Sequence, residues 1–170
     1  MANTYVAIAT VTVGSGGASS IEFTSIPGTY TDLLLSVSAR SATNNTGNLW
    51  LQVNGSTATL PAILFFGDGS AAGSSSSGAT DYIWNYSVPA NYTANTFSNN
   101  EYYFPNYTGS SNKSVIHNGV TENNATTAFT VLSGATYNIS AAITSLKLSI
   151  YFSGNIAQYS TATLYGIKNS

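Results

Sequence analysis

Alternation of apolar and polar side chains is the clearest pattern in this chain. It is strongest in DLLLSVSA, residues 32–39, and in SLKLSIYF, residues 145–152. A period of two is typical of a β-strand that turns one face to a core and the other to solvent. The outward positions of both segments hold serine more often than charged residues. The inward positions predict these core residues: Leu33, Leu35, Val37, Leu146, Leu148 and Ile150.

Similar segments recur along the chain, separated about every ten residues by clusters of turn-forming residues. Helix formers are scarce, whereas β-branched and aromatic residues are abundant. These features predict an all-β fold, an antiparallel β-sandwich that forms a single domain over residues 1–170. The Gly/Ser-rich segment 67–81 and the segment 88–100 are predicted as loops. Strands are predicted at 4–13, 20–26, 31–39, 48–54, 59–66, 81–87, 101–105, 113–118, 127–133, 143–152 and 160–168.

The composition is apolar enough to fold but unusually poor in charge. Apolar residues make up 43% of the 170 residues, which argues against disorder. Charged residues make up 6%, against about 25% in ordinary soluble domains. Four basic residues and a net charge of −2 provide no basic surface for nucleic acid or an anionic membrane. No segment approaches the ~20 apolar residues of a membrane-spanning helix. We therefore expect neither nucleic acid nor a membrane as a partner.

Residues suited to catalysis or metal binding are few. The chain has no cysteine and one histidine, His117, so a zinc site is not expected. A Ser-His-Asp triad would have to use His117, and no nucleophile-elbow motif accompanies it. A glycosidase needs two carboxylates about 5–10 Å apart, but Asp32 and Asp68 lie in turn-like sequence. We expect no enzymatic activity, no metal and no cofactor. The six carboxylates are Glu22, Asp32, Asp68, Asp81, Glu101 and Glu122.

Aromatic residues concentrate between positions 82 and 107. Tyrosine and tryptophan combine an apolar ring with a polar group, which suits a protein interface or a saccharide platform. Ordinary core packing is the third interpretation, and the sequence leaves all three open. The candidate contact residues for an interface or a glycan are Tyr82, Trp84, Tyr86, Tyr102 and Tyr103.

Both ends of the chain resemble virion proteins of tailed bacteriophages, including cyanophages. The resemblance lies in SSIEFTSIPGTYTDLLLSVSARS near the start and in ITSLKLSIYFSGNIAQYSTATLYGIKNS at the end, and it leaves 55–140 unmatched. Such proteins are commonly described as capsid decoration (cement) proteins or tail-fibre proteins. The resemblance implies a jelly-roll topology, assembly in the host cytoplasm and a location on the virion.

Two functions follow from this resemblance. The first is a capsid decoration protein that binds the major capsid protein or other virion proteins and stabilises the outer shell. The alternative is a tail-fibre or spike module that binds host surface glycans through the aromatic cluster. A weakly charged surface also favours association of identical subunits, and we expect a closed homotrimer.

Overall fold

The computed structural model describes residues 4–44, 48–56, 59–77, 83, 85–121, 128–151 and 154–168. Their regular structure is entirely β, as the alternating pattern predicts. Across these residues, no helix has the length and apolarity needed to cross a membrane. The strands are β1 (Tyr5–Thr12), β2 (Ser20–Phe23), β3 (Asp32–Ala39), β4 (Leu49–Val53), β5 (Thr59–Gly67), β6 (Ala72–Ser77), β7 (Ser98–Phe104), β8 (Lys113–Thr121), β9 (Phe129–Tyr137), β10 (Leu146–Ile150) and β11 (Thr161–Ile167).

The strands form two antiparallel sheets that pack together as a β-sandwich. The large sheet has eight strands in the order β1-β11-β3-β7-β8-β9-β5-β6, and the small sheet has the order β2-β10-β4. β1 pairs with the last strand, β11, and β2 pairs with β10, so sequence-distant segments close the fold. The predicted β-sandwich is therefore confirmed.

The core lies between the two sheets, and all six predicted core residues are in it. Leu33, Leu35 and Leu148 are at most 1% exposed, and the other three are also buried. The fully buried Tyr137 of β9 donates its hydroxyl proton to the Leu51 carbonyl of β4 at 2.8 Å. This bond joins the large sheet to the small one. Buried hydroxyls need such partners, because an unpaired one would cost stability.

Two predicted segments differ from the structure. Residues 67–81 do not form one long loop, since Ala72–Ser77 pairs with β5 as the edge strand β6. The prediction was wrong because pairing with a neighbour can impose strand structure on a Gly/Ser segment of low strand propensity. The strand predicted at 81–87 is absent from its described residues, where Tyr86 makes only an isolated bridge to Asn48. Two of its described residues, Ile83 and Asn85, are instead buried against the inner side of the large sheet.

Strand boundaries also shift at the predicted loop 88–100. β7 begins at Ser98, because Ser98 and Asn100 turn inward and pair with β3. The predicted strand 101–105 is thus the second half of a longer strand. Serine and asparagine are residue types typical of loops, but in a strand they can also be buried if they are hydrogen-bonded. This is why the sequence predicts a loop where β7 begins.

Candidate functional site

The five aromatic candidates do not form one described surface. Tyr82 and Trp84 lie outside the described residues. Tyr86 is half-buried and stacks on Phe129, with ring centroids 5.2 Å apart and planes inclined by 27°. Tyr102 is fully buried, so its side chain contributes to the core and not to an outer surface.

Tyr103 lies on the opposite face of β7 from Tyr102 and is partly exposed. Its hydroxyl donates a hydrogen bond of 2.8 Å to the buried Asp32 carboxylate. This bond to Asp32 and partial burial raise the pKa of Tyr103. The other carboxylate oxygen of Asp32 accepts the Asn106 backbone N–H at 2.8 Å. Asp32 thus fixes the turn that follows β7.

Two further described carboxylates, Asp68 and Glu22, make separate contacts. Asp68 accepts hydrogen bonds from the backbone N–H groups of Ser70 and Ala71, which lower the pKa of Asp68 and confirm it as a turn residue. Glu22 pairs with Lys147 at 3.0 Å on the exposed face of the small sheet. No cluster of three or more potential metal ligands occurs in the part of the chain that the structure describes. Asp81 and Glu122 lie outside it.

His117 belongs to a network of side-chain hydrogen bonds on the inner face of the large sheet. Its Nδ1 lies 3.1 Å from the Ser133 hydroxyl, and its Nε2 lies 3.0 Å from Oδ1 of Asn100. Asn100 in turn donates to the Ser98 hydroxyl at 2.9 Å, and Ser98 donates to the Ala39 carbonyl at 2.9 Å. This series of hydrogen bonds therefore connects four neighbouring strands: β9, β8, β7 and β3.

The environment of His117 suits a structural role. The imidazole is fully buried, and desolvation lowers its pKa from 6.5 to about 3, so the ring is neutral. Since Asn100 presents its carbonyl oxygen, Nε2 donates and Nδ1 accepts the Ser133 hydroxyl proton. Ser133 is 4% exposed, so a substrate in solvent could not reach this serine–histidine pair. A Cβ on Gly119 would lie 2.4 Å from Asn100 Oδ1, which explains glycine beside this network.

Two cations fix loops through backbone carbonyls. The guanidinium group of Arg40 donates to the carbonyls of Ala90, Tyr92 and Thr93 at 2.8–3.0 Å, and so organises the loop before β7. The Nζ of Lys113 donates to the carbonyls of Gly109 and Ser111, and the side chain is buried. These contacts hold the loops in place around the sheets.

The outer face of the large sheet carries an exposed apolar patch on strands β5, β8 and β9. The patch arises because each strand alternates: Ala62 and Leu64 of β5 turn inward, whereas Ile63 and Phe65 turn outward. Ile63 is 46% exposed and Phe65 is 50% exposed. We define the apolar patch as Ile63, Phe65, Ile116, Val120 and Leu132.

Strand register brings the patch residues together. Phe65 lies opposite Leu132, and both Ile63 and Ile116 lie opposite Gly134. Because Gly134 has no side chain, a hollow of about 190 Å³ opens between its neighbours. Exposed apolar clusters of this kind mark interaction surfaces in soluble proteins.

The other half of the same face is dominated by small polar and hydroxyl side chains. Thr10 and Thr163 lie opposite each other on β1 and β11, with their hydroxyl oxygens 3.0 Å apart. On this face, the charged side chains among the described strand residues are Glu101 and the buried Asp32. The result is a broad sheet face with very little charge.

Sequence reasoning missed the apolar patch and emphasised residues 82–107 instead. A signal was present in KSVIHNGV, residues 113–120, where Val115 and His117 share one phase and Ile116 the other. If the histidine faces inward, the isoleucine must face outward. Which set of alternate residues faces outward depends on which face of the large sheet the small sheet covers. Only the structure shows this.

Comparison of the chain with protein-family models, with curated proteins and with solved structures gives no match.

Proposed function

We propose that this protein is a structural component of a bacteriophage virion, a capsid decoration protein that binds the outer shell and stabilises it. The observation that carries the proposal is the nearly uncharged outer face of the large sheet with its exposed apolar patch. A face of this kind is suited to being covered by other protein subunits. The proposed partners are identical copies, as a homotrimer, and the major capsid protein or other virion proteins.

The loops support the same proposal. Arg40 and Lys113 hold loop backbones against the sandwich, so the outer face is presented by a well-braced body. Rigid partners lose little conformational entropy on binding, which favours stable assembly. His117, the sole histidine, is used for internal hydrogen bonding.

For the fold, we propose a jelly roll extended by additional strands. Three strand pairs are nested as in a long hairpin wound around a sandwich: β1 with β11, β2 with β10, and β3 with β7. β5, β6, β8 and β9 then widen one sheet beyond β7. The nested pairs support the proposal because a jelly roll is a double-sheet fold built from such Greek-key connections.

The proposal can be tested on particles of the phage that encodes the protein. Mass spectrometry of gradient-purified particles should find the chain, and gold-labelled antibodies should mark the head. Particles made without the gene should release DNA at a lower temperature, and added recombinant protein should restore the release temperature. Absence from purified particles would overturn the proposal. Labelling confined to tail tips, together with binding on a glycan array, would support the tail-fibre alternative instead.

A further inference from the structure

We propose that the apolar patch is the surface through which copies of this chain pack against one another. The inference deepens the proposed function and rests on it for the expectation that the working unit is a homo-oligomer. It places the contact on the outward residues of β5, β8 and β9. Tyr103 adjoins the patch, because it pairs with Ile116 across β7 and β8. Tyr103 therefore lies at an edge of this surface.

The area of the patch approaches the apolar area of a standard interface. Its five side chains, each about half exposed, present roughly 400 Å² of apolar surface, within the ~300–600 Å² of the largest patch on a typical monomer. A standard interface buries about 800 Å² per partner, of which roughly 56–65% is apolar, or about 450–520 Å². The patch supplies most of that apolar core. The exposed Ser74 and Thr130 alongside it supply a polar rim, and the exposed Asn118 lies among the patch residues, opposite Leu132.

The hollow at Gly134 favours a protein partner over a small molecule. Its volume of about 190 Å³ is below the ~300–1,000 Å³ of ligand pockets. It is lined by Ile63, Phe65, Ile116 and Leu132, with little to orient a polar ligand. An apolar side chain from a neighbouring subunit fits such a space. The protruding patch residues of a second copy are side chains of this type.

The absence of charge from the patch favours an identical partner. Different proteins often select each other by opposite charges, whereas identical copies bring the same charges to their shared interface. All five patch residues are uncharged, and so are their neighbours Ser74, Asn118 and Thr130. Copies can therefore bring their patches together without like-charge repulsion between patch residues. The nearest charged neighbour in the register is Glu101, which lies opposite Asn118 at the margin.

The test compares a patch variant with a matched control in analytical ultracentrifugation over a wide concentration range. The patch variant is the double substitution Ile116→Lys and Leu132→Lys. The control is Tyr5→Lys. Tyr5 is 57% exposed, as Ile116 is, but it lies on β1, an edge strand of the same sheet that is not part of the patch. Circular dichroism checks that each variant is folded. Removal of hot-spot residues weakens an interface by about 30-fold or more. The dissociation constant of the patch variant should therefore be at least that much higher than that of the wild type.

A second measurement locates the contact directly. The chain has no cysteine, so a single introduced thiol can be labelled uniquely. Alkylation of Asn118→Cys should slow as the protein concentration rises, whereas alkylation of Thr10→Cys on β1 should not change. Both positions are exposed in the single chain.

The outcomes separate this inference from the proposed function. Association that is lost in the patch variant and kept in the control supports the inference, whether or not the protein occurs in virions. A wild type that is monomeric at every concentration overturns it, as does association that the patch variant retains. Monomers that bind neutral lipid vesicles through the patch would also overturn it, since the occupant would then be a lipid surface. Absence from virions alone would defeat only the proposed function.

Discussion

The buried His117 predicts that stability falls in mildly acidic solution. The pKa of its imidazole is lowered to about 3 in the folded protein, against an ordinary value of 6.5. As the pH falls below 6.5, the unfolded chain binds a proton at this residue and the folded chain does not. Protons therefore favour the unfolded state, and the free energy of unfolding decreases until the pH approaches 3.

The magnitude follows from the two pKa values. Between pH 7.5 and 5.0, proton binding by the unfolded histidine lowers the free energy of unfolding by about 2 kcal/mol, with a limiting slope of about 1.4 kcal/mol per pH unit. Carboxylates add little in this window. Burial keeps the folded ring neutral in this window, so the unfolded pKa alone sets the slope.

Urea denaturation followed by circular dichroism, at concentrations where the chain is monomeric, measures this loss. With an m value near 2 kcal/mol/M, the midpoint should fall by about 1 M between pH 7.5 and 5.0. His117→Gln is the control, because the chain has no other histidine. The variant should be less stable at pH 7.5 but nearly independent of pH in this window.

Nuclear magnetic resonance provides a check that does not require the variant to fold. The ring protons of the single histidine should show no titration in the folded protein between pH 7.5 and 5.0. A folded pKa near 6, or an equal midpoint for the wild type at both pH values, would refute the reasoning.

Two further predictions concern packing. Leu148→Ala should lower the free energy of unfolding by about 2–5 kcal/mol, because the side chain is 1% exposed between the sheets; a loss below about 0.5 kcal/mol in urea denaturation would contradict this assignment of the core. Gly166→Ala should destabilise the protein by about 1 kcal/mol or more, since the new Cβ would lie 2.3 Å from Cγ of Tyr30. Gly28→Ala is its control, with the nearest atom, on Thr108, at 3.8 Å; equal midpoints for the two alanine variants would show that Tyr30 moves freely.

The sequence predicts the strands whose two faces differ most. In β10, and in β3 from Leu35 onward, apolar residues alternate with serine or lysine, so the inward face is unambiguous, and the structure confirms it. The same reasoning fails for β6, AGSSSS, because its strand structure comes from pairing with β5 and not from its own side chains. Local propensity carries no information about such a partner.

The candidate site was less predictable, for a related reason. Aromatic density drew attention to 82–107, yet Tyr102, Phe104 and Tyr107 are fully buried. The apolar patch combines β5 with the consecutive strands β8 and β9, which lie much later in the chain, and its members become neighbours only through the register of β5, β9 and β8. An apolar residue on an outward strand position becomes significant only when its cross-strand neighbours are also known.

Because Arg40 and Lys113 bind backbone carbonyls, the loop conformations should depend less on salt concentration and acidity than they would if carboxylates held them. Arg40 and Lys113 contact neutral backbone oxygens, which neither titrate nor lose their dipole in concentrated salt. Carboxylate-based pairs such as Glu22–Lys147 weaken when salt screens them or acid protonates them. The loops before β7 and before β8 should therefore keep one shape from dilute buffer to brine.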